Sequence, residues 1–176
     1  AVIIERRMDT LRITSLGGQW RFADGAGRPI PRQLSAGEKG ARISLGDPYG
    51  DYVFSLEPAG ILTMEEPRFA KAPLRFVATN EGLKLLVAPG RLADLVAVPK
   101  VETGGLEGAA SGRVFIWSRT LPLLPETIFV GKGPGTFTVY FPQHDYLGKL
   151  LAAGDMTRLY DKPHSLYLDI AFSTGL

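Results

Sequence analysis

The sequence predicts an all-β protein: a single jelly roll, or a β-sandwich or barrel, carrying one short helix. Three observations lead there. Gly (21) and Pro (13) are frequent enough in 176 residues to punctuate a chain of many turns. Between those breaks, short apolar and aromatic runs recur at strand length, several with alternating character. No rhythm of strands alternating with longer helical patterns announces a parallel sheet, and no repeat suggests a propeller or solenoid. One β-barrel domain over residues 1–176, with a flexible Gly-rich loop around 102–112, is the simplest organisation.

Taken in order, residues 1–7 (AVIIERR) open with a β-branched run, and Leu11, Ile13 and Leu16 follow with partial alternation. Trp20 and Phe22 share one face if 19–22 is extended. Residues 24–35 carry Gly25, Gly27, Pro29 and Pro31 and read as loop. Strands are expected at 42–45, 51–56 and 61–64, separated by GDPYGD and by Pro58–Gly60 turn chemistry. Residues 74–78 and 83–87, joined through Asn80, form the clearest hairpin. Residues 92–98 fit a strand or two helical turns, stopped by Pro99. RVFIW (113–117), 127–130, TFTVYF (136–141) and LYLDIAF (166–172) read as strands. The helix is expected at 146–153. Asp145 caps it, Tyr146, Leu147, Leu150 and Leu151 recur at helical spacing, and Gly154 stops it.

Composition narrows the function classes. At 45% apolar and 22% charged, the chain can fill a core and is neither disordered nor a coiled coil. The absence of Cys removes thiol nucleophiles, Cys-ligated metals and disulfides. One Asn, three Gln and thirteen Arg against seven Lys fit a protein that works hot. No apolar run reaches membrane-spanning length. Glu5, Arg6 and Arg7 come too early for a secretory leader, and Ala1 is what trimming of an initiator Met would leave. Net charge is +2, with eight basic and four acidic residues in 1–42. That bias suits an anionic lipid surface. Nucleic acid is not expected as a partner, because no cluster of four Lys/Arg exists.

No motif carries chemistry. GKGPGT (131–136) superficially resembles a phosphate loop, but Lys132 comes early, Pro134 lacks an amide donor, and a strand is expected next. His144 and His164 each have an acidic neighbour in sequence, Asp145 and Asp161, yet their spacing matches no compact metal site. Asp9, Asp47, Asp51, Glu57, Glu65 and Glu66 supply carboxylates without a pairing that sequence can reveal. GDPYGD lacks the spacing of a calcium loop. Trp20, Trp117 and the tyrosines suit a core as well as a sugar platform. The expectation is no catalytic, cofactor or metal residue, and no enzyme.

A compact, Cys-free chain built of segments such as RVFIW, TFTVYF and LYLDIAF resembles the small major capsid proteins of tailless, membrane-containing viruses of thermophilic bacteria. That resemblance implies a single jelly roll in the virion shell. It further implies a structural subunit that self-assembles, pairs with a companion capsid protein and faces an inner membrane. Two other readings remain open: a β-sandwich module binding carbohydrate or protein, and a cupin-like or hydrolytic barrel. Self-association, most simply as a homodimer, is expected because Val114, Ile116, Thr138, Tyr140, Tyr167 and Ala171 would face outward if their segments were strands.

Overall fold

The computed structural model describes residues 10–38, 40–65 and 73–175, together with the backbone of 2–5. The chain divides into two compact units, Ala1–Leu95 and Val96–Leu176. The first is built of strands and the second of helices, so the all-β jelly roll, sandwich or barrel is corrected to a mixed α/β fold with open sheets.

The first unit holds two antiparallel sheets. In the smaller, β1 (Val2–Glu5), β2 (Thr10–Leu16) and β3 (Gln19–Ala23) lie in chain order. Gly17 and Gly18 close the β2–β3 hairpin with φ of 57° and 76°, the left-handed pair that a two-residue turn needs. The larger sheet follows chain order too. It runs from β4 (Arg32–Gly37) through β5 (Gly40–Leu45), β6 (Val53–Leu56), β7 (Leu62–Glu65), β8 (Leu74–Thr79) and β9 (Gly82–Ala88) to β10 (Arg91–Ala93). Such a meander needs only short reversals, which is where the Gly and Pro residues go.

Alternation along each strand sends one row of side chains inward. Ile43, Phe54, Met64 and Leu74 stand opposite one another across four strands, as do Leu62, Phe76 and Leu85, and all are buried. The smaller sheet adds Leu11, Ile13, Trp20 and Phe22 to this core, the Phe22 and Phe54 rings 4.9 Å apart. The Tyr49 hydroxyl donates to the Thr10 carbonyl at 3.0 Å, fixing the GDPYGD turn beneath it. The expected hairpin is present as β8–β9, with Ala78 opposite Leu83. Residues 32–35, read as the end of a loop, instead belong to β4, which runs on to Gly37. Residues 92–98 supply only the end of β10 before the chain leaves regular structure.

The second unit contains α1 (Arg113–Thr120), α2 (Phe137–Tyr140), α3 (Tyr146–Ala153) and α4 (Leu166–Thr174), with 3-10 turns at Ala109–Gly112 and Leu121–Thr127. The three segments that carried the capsid resemblance are therefore α1, α2 and α4. No jelly roll remains for a capsid subunit, and the sandwich-module and cupin readings lose their barrel with it. The physical reason lies in the burial pattern. In α1 the buried residues are Phe115, Ile116, Ser118, Arg119 and Thr120, and in α4 Ala171 and Phe172 are buried as neighbours. Adjacent buried residues fit a helix against a core and not a strand with one face in. Ser165 caps α4 through its Oγ, which accepts from the Leu168 N–H, and Gly175 follows its end. Phe115, Ile116, Phe137, Phe141, Tyr160 and Phe172 form the core, their rings meeting at tilted and edge-on angles.

The one expected helix is in place as α3. Asp145 Oδ1 accepts from the Gly148 N–H at 2.9 Å, and Gly154 leaves it at φ 72°. Asp145 does more than cap. Its Oδ2 accepts from Arg119 Nε at 2.8 Å, and the Arg119 side chain is only 3% exposed. The guanidinium also donates to Ser118 Oγ and lies 4.5 Å over the Phe115 ring. One carboxylate thus joins α1 to the start of α3.

Candidate interaction surface

The side chains considered for chemistry are dispersed or already committed. Lys132 and Gly133 donate their amides to the Phe172 and Ser173 carbonyls, at 2.9 and 3.0 Å. The GKGPG loop is therefore spent on holding the end of α4, although a helical turn, α2, follows it where a strand was expected. Thr136 Oγ1 closes the loop on the Lys132 and Gly133 carbonyls. His144 and His164 are both exposed. The carboxylate beside His144 is engaged by Arg119. His164 takes a left-handed φ of 52° between Pro163, whose carbonyl accepts from Trp117 Nε1, and the Ser165 cap. Among the described residues no group of three or more His, Asp or Glu is arranged to hold a metal ion.

Glu57 accepts from Thr63 Oγ1 at 2.8 Å and pairs with Arg75 at 2.9 Å, a brace between strands. Asp47, Asp51 and Glu65 are exposed, and Asp9 and Glu66 lie outside the described residues. Trp20, Tyr49, Tyr52 and Tyr160 are buried, so no strip of exposed tryptophan forms a sugar platform.

What the second unit does present is apolar surface. Phe129 is 94% exposed, Tyr167 85% and Val139 81%, and Val130, Leu166, Ile170 and Tyr140 are exposed too. These seven side chains stand on three pieces of chain that hold one another. The strap 128–133 bonds through Lys132 and Gly133 to the end of α4. Gly131 and Gly175 let this happen, because a Cβ on Gly131 would collide with the Ser173 carbonyl. The Phe137 and Tyr140 rings of α2 lie 5.4 and 6.0 Å from the Phe172 ring of α4. Lys132 Nζ sits 5.0 Å over the Tyr140 ring and pairs with Glu126, which neutralises it.

Two consequences follow from helix periodicity. In α4, Leu166, Tyr167 and Ile170 face away from the core beside the exposed Asp169 and Thr174, while Ala171 and Phe172 face it, so apolar side chains stand on both sides of the helix. The second consequence corrects the outward-facing set expected from a strand reading. Tyr140 and Tyr167 are exposed, but Ile116 and Ala171 are buried and Val114 and Thr138 half-buried. Phe129, Val130 and Val139, which sequence reasoning did not single out, are among the most exposed large apolar residues. Among the described residues, no helix is long and apolar enough to cross a membrane. No protein-family model, curated protein or solved structure matches the chain.

Proposed function

We propose that this chain is a non-catalytic docking module whose helical unit seats on the surface of a lipid bilayer. The observation that carries the reading is the cluster of exposed apolar residues around α4, with Phe129 and Tyr167 almost fully solvated. Large apolar patches on otherwise polar surfaces mark interaction sites. Aromatic and aliphatic side chains on a short helix and its flanking strap suit the boundary between headgroups and acyl chains. Each such side chain contributes about 1.5–3 kcal/mol when fully withdrawn from water, so a few acting together support reversible attachment.

Charge supplies the discriminating feature. Residues 96–176 contain seven basic and seven acidic side chains, so the unit has no net charge to attract an anionic surface. Attachment is therefore driven by insertion and not by electrostatics, and it tolerates salt. Flotation with zwitterionic phosphatidylcholine vesicles tests this. The protein is expected to float with vesicles at both low and high salt, and a Phe129→Asp/Tyr167→Asp variant to stay at the bottom. Failure to float at any salt, or flotation only with anionic vesicles at low salt, would overturn the reading. So would a stable oligomer, lost in that variant, that occupies the same surface and excludes lipid.

A further inference from the structure

The seven-stranded sheet ends differently on its two sides. At one edge β10 is three residues long, starts on Arg91 and carries a register shift between Arg91 and Leu92. Short, charged and bulged edges are how sheets avoid pairing with other chains. At the other edge β4 has six residues in unbroken register with β5, from Arg32 opposite Leu45 to Gly37 opposite Gly40, and all six are exposed. It contains no proline and no bulge. Its one charged side chain, Arg32, is committed to the Trp20 carbonyl of β3.

Leu34 is the residue that makes this edge incomplete. It stands opposite Ile43 and so continues the row of Ile43, Phe54, Met64 and Leu74, all of them buried. Leu34 is 64% exposed, and β4 is the last strand of the sheet on its side. The core row runs off the side of the sheet.

The hydrogen-bond phase shows which groups face outward. The Gly46 N–H donates to the Pro31 carbonyl at 3.0 Å. Bonded pairs alternate in an antiparallel ladder, so Gln33, Ser35 and Gly37 turn their backbone groups to β5. Arg32, Leu34 and Ala36 aim theirs at the free edge.

We infer that the β4 edge is a twofold interface between two copies of this chain, centred on Leu34. Antiparallel pairing about that residue sets Leu34 against the second copy's Leu34, and Arg32 against the second copy's Ala36. Every outward N–H and C=O of the three residues then has a partner. The two Leu34 side chains meet on the core face and join the buried rows of both sheets. The register also satisfies charge, because each Arg32 faces a neutral Ala36 and the two arginines stand at opposite ends of the ladder. This self-complementarity is what a closed twofold contact requires, and it favours a second copy over an unrelated strand. One strand pair is a small interface, so association is weak and concentration-dependent. Pairing through β4 requires no lipid docking by the helical unit.

Sedimentation velocity on the full chain, from low micromolar to about 500 μM in lipid-free buffer, tests it. The mass is expected to rise from 19.1 kDa towards twice that value with concentration. Leu34→Lys places like charges at the axis. Ala36→Pro deletes an outward N–H while leaving every bond to β5 intact, a substitution that edge strands accept. Both variants, with unchanged circular dichroism, are expected to weaken association at least tenfold, while Phe129→Asp leaves it unaltered. A monomer throughout the range, or a dimer that survives either β4 variant, would overturn the inference.

Discussion

Gly148→Ala tests the packing at the start of α3, because local propensity and tertiary structure predict opposite signs. Gly148 is the third helical residue, and replacing a helical Gly by Ala ordinarily stabilises by about 1 kcal/mol. Here the added methyl would collide with Asp145 Oδ2 and lie 2.6 Å from Phe115 Cε2. Neither neighbour can yield cheaply. Asp145 is held by Arg119 on one oxygen and by the Gly148 amide on the other. Phe115 is fully buried, with the Tyr160 ring 5.2 Å and the Phe141 ring 6.0 Å away and the Arg119 guanidinium on its face. Overpacking a tight site costs about 1–3 kcal/mol. If relief comes by displacing Asp145, the loss approaches the 3–5 kcal/mol of a broken buried pair, as an order of magnitude. The net expectation is destabilisation of about 1–3 kcal/mol, with the steric cost exceeding the propensity gain. Urea unfolding followed at 222 nm reads it, since among the described residues all the helices lie in the second unit. Phe115→Leu removes the clashing ring edge, so the double variant is expected to lose less than the two single effects summed. A Gly148→Ala protein with a raised urea midpoint would refute the packing described for this site.

Two further outcomes follow from the same core. Asp145→Asn keeps a capping oxygen but removes the charge facing buried Arg119, so a loss of about 3 kcal/mol or more is expected; adding Arg119→Met should recover part of it, because a buried pair replaced as a unit leaves no orphaned charge, as a thermal-denaturation cycle would show. Burial pushes the Tyr160 phenol above the ordinary tyrosine range; the nearby Arg158 charge lowers it by less, and Asp155 adds a smaller upward push. Its stabilising contribution is therefore complete below the unfolded value near pH 10 and is lost as pH rises through the folded value. Absorbance at 295 nm should show a late-ionising tyrosine component that shrinks by one phenol in Tyr160→Phe.

What could be read from the sequence depended on how far local signals agreed with burial. The β8–β9 hairpin and α3 were legible because turn residues, caps and apolar spacing point the same way in each: Asn80 and Gly82 at the reversal, Asp145 and Gly154 at the helix ends. The segments at 113–117 and 166–172 misled because Val, Ile, Phe, Trp and Tyr favour strands in general, and because Leu166, Leu168, Ile170 and Phe172 happen to alternate. The contrary evidence was present in Ser165 and Gly175, a cap and a stop around that segment, but two flanking residues weigh little beside seven apolar-rich ones. The strand β4 was missed for the converse reason. An edge strand buries almost nothing, so Arg32–Gly37 has no apolar alternation to announce it. The same logic hid the interaction surface. A sequence pattern separates core from surface by assuming that apolar letters point inward. Around α4 that assumption fails, since Tyr167 and Ile170 point outward from the same turn that sends Ala171 and Phe172 in. An apolar residue that the fold leaves in water is indistinguishable by composition from one that the fold buries. It becomes visible only when the opposite face of its helix is seen to be occupied already, and in α4 it is, by Phe137 and Tyr140 against Phe172.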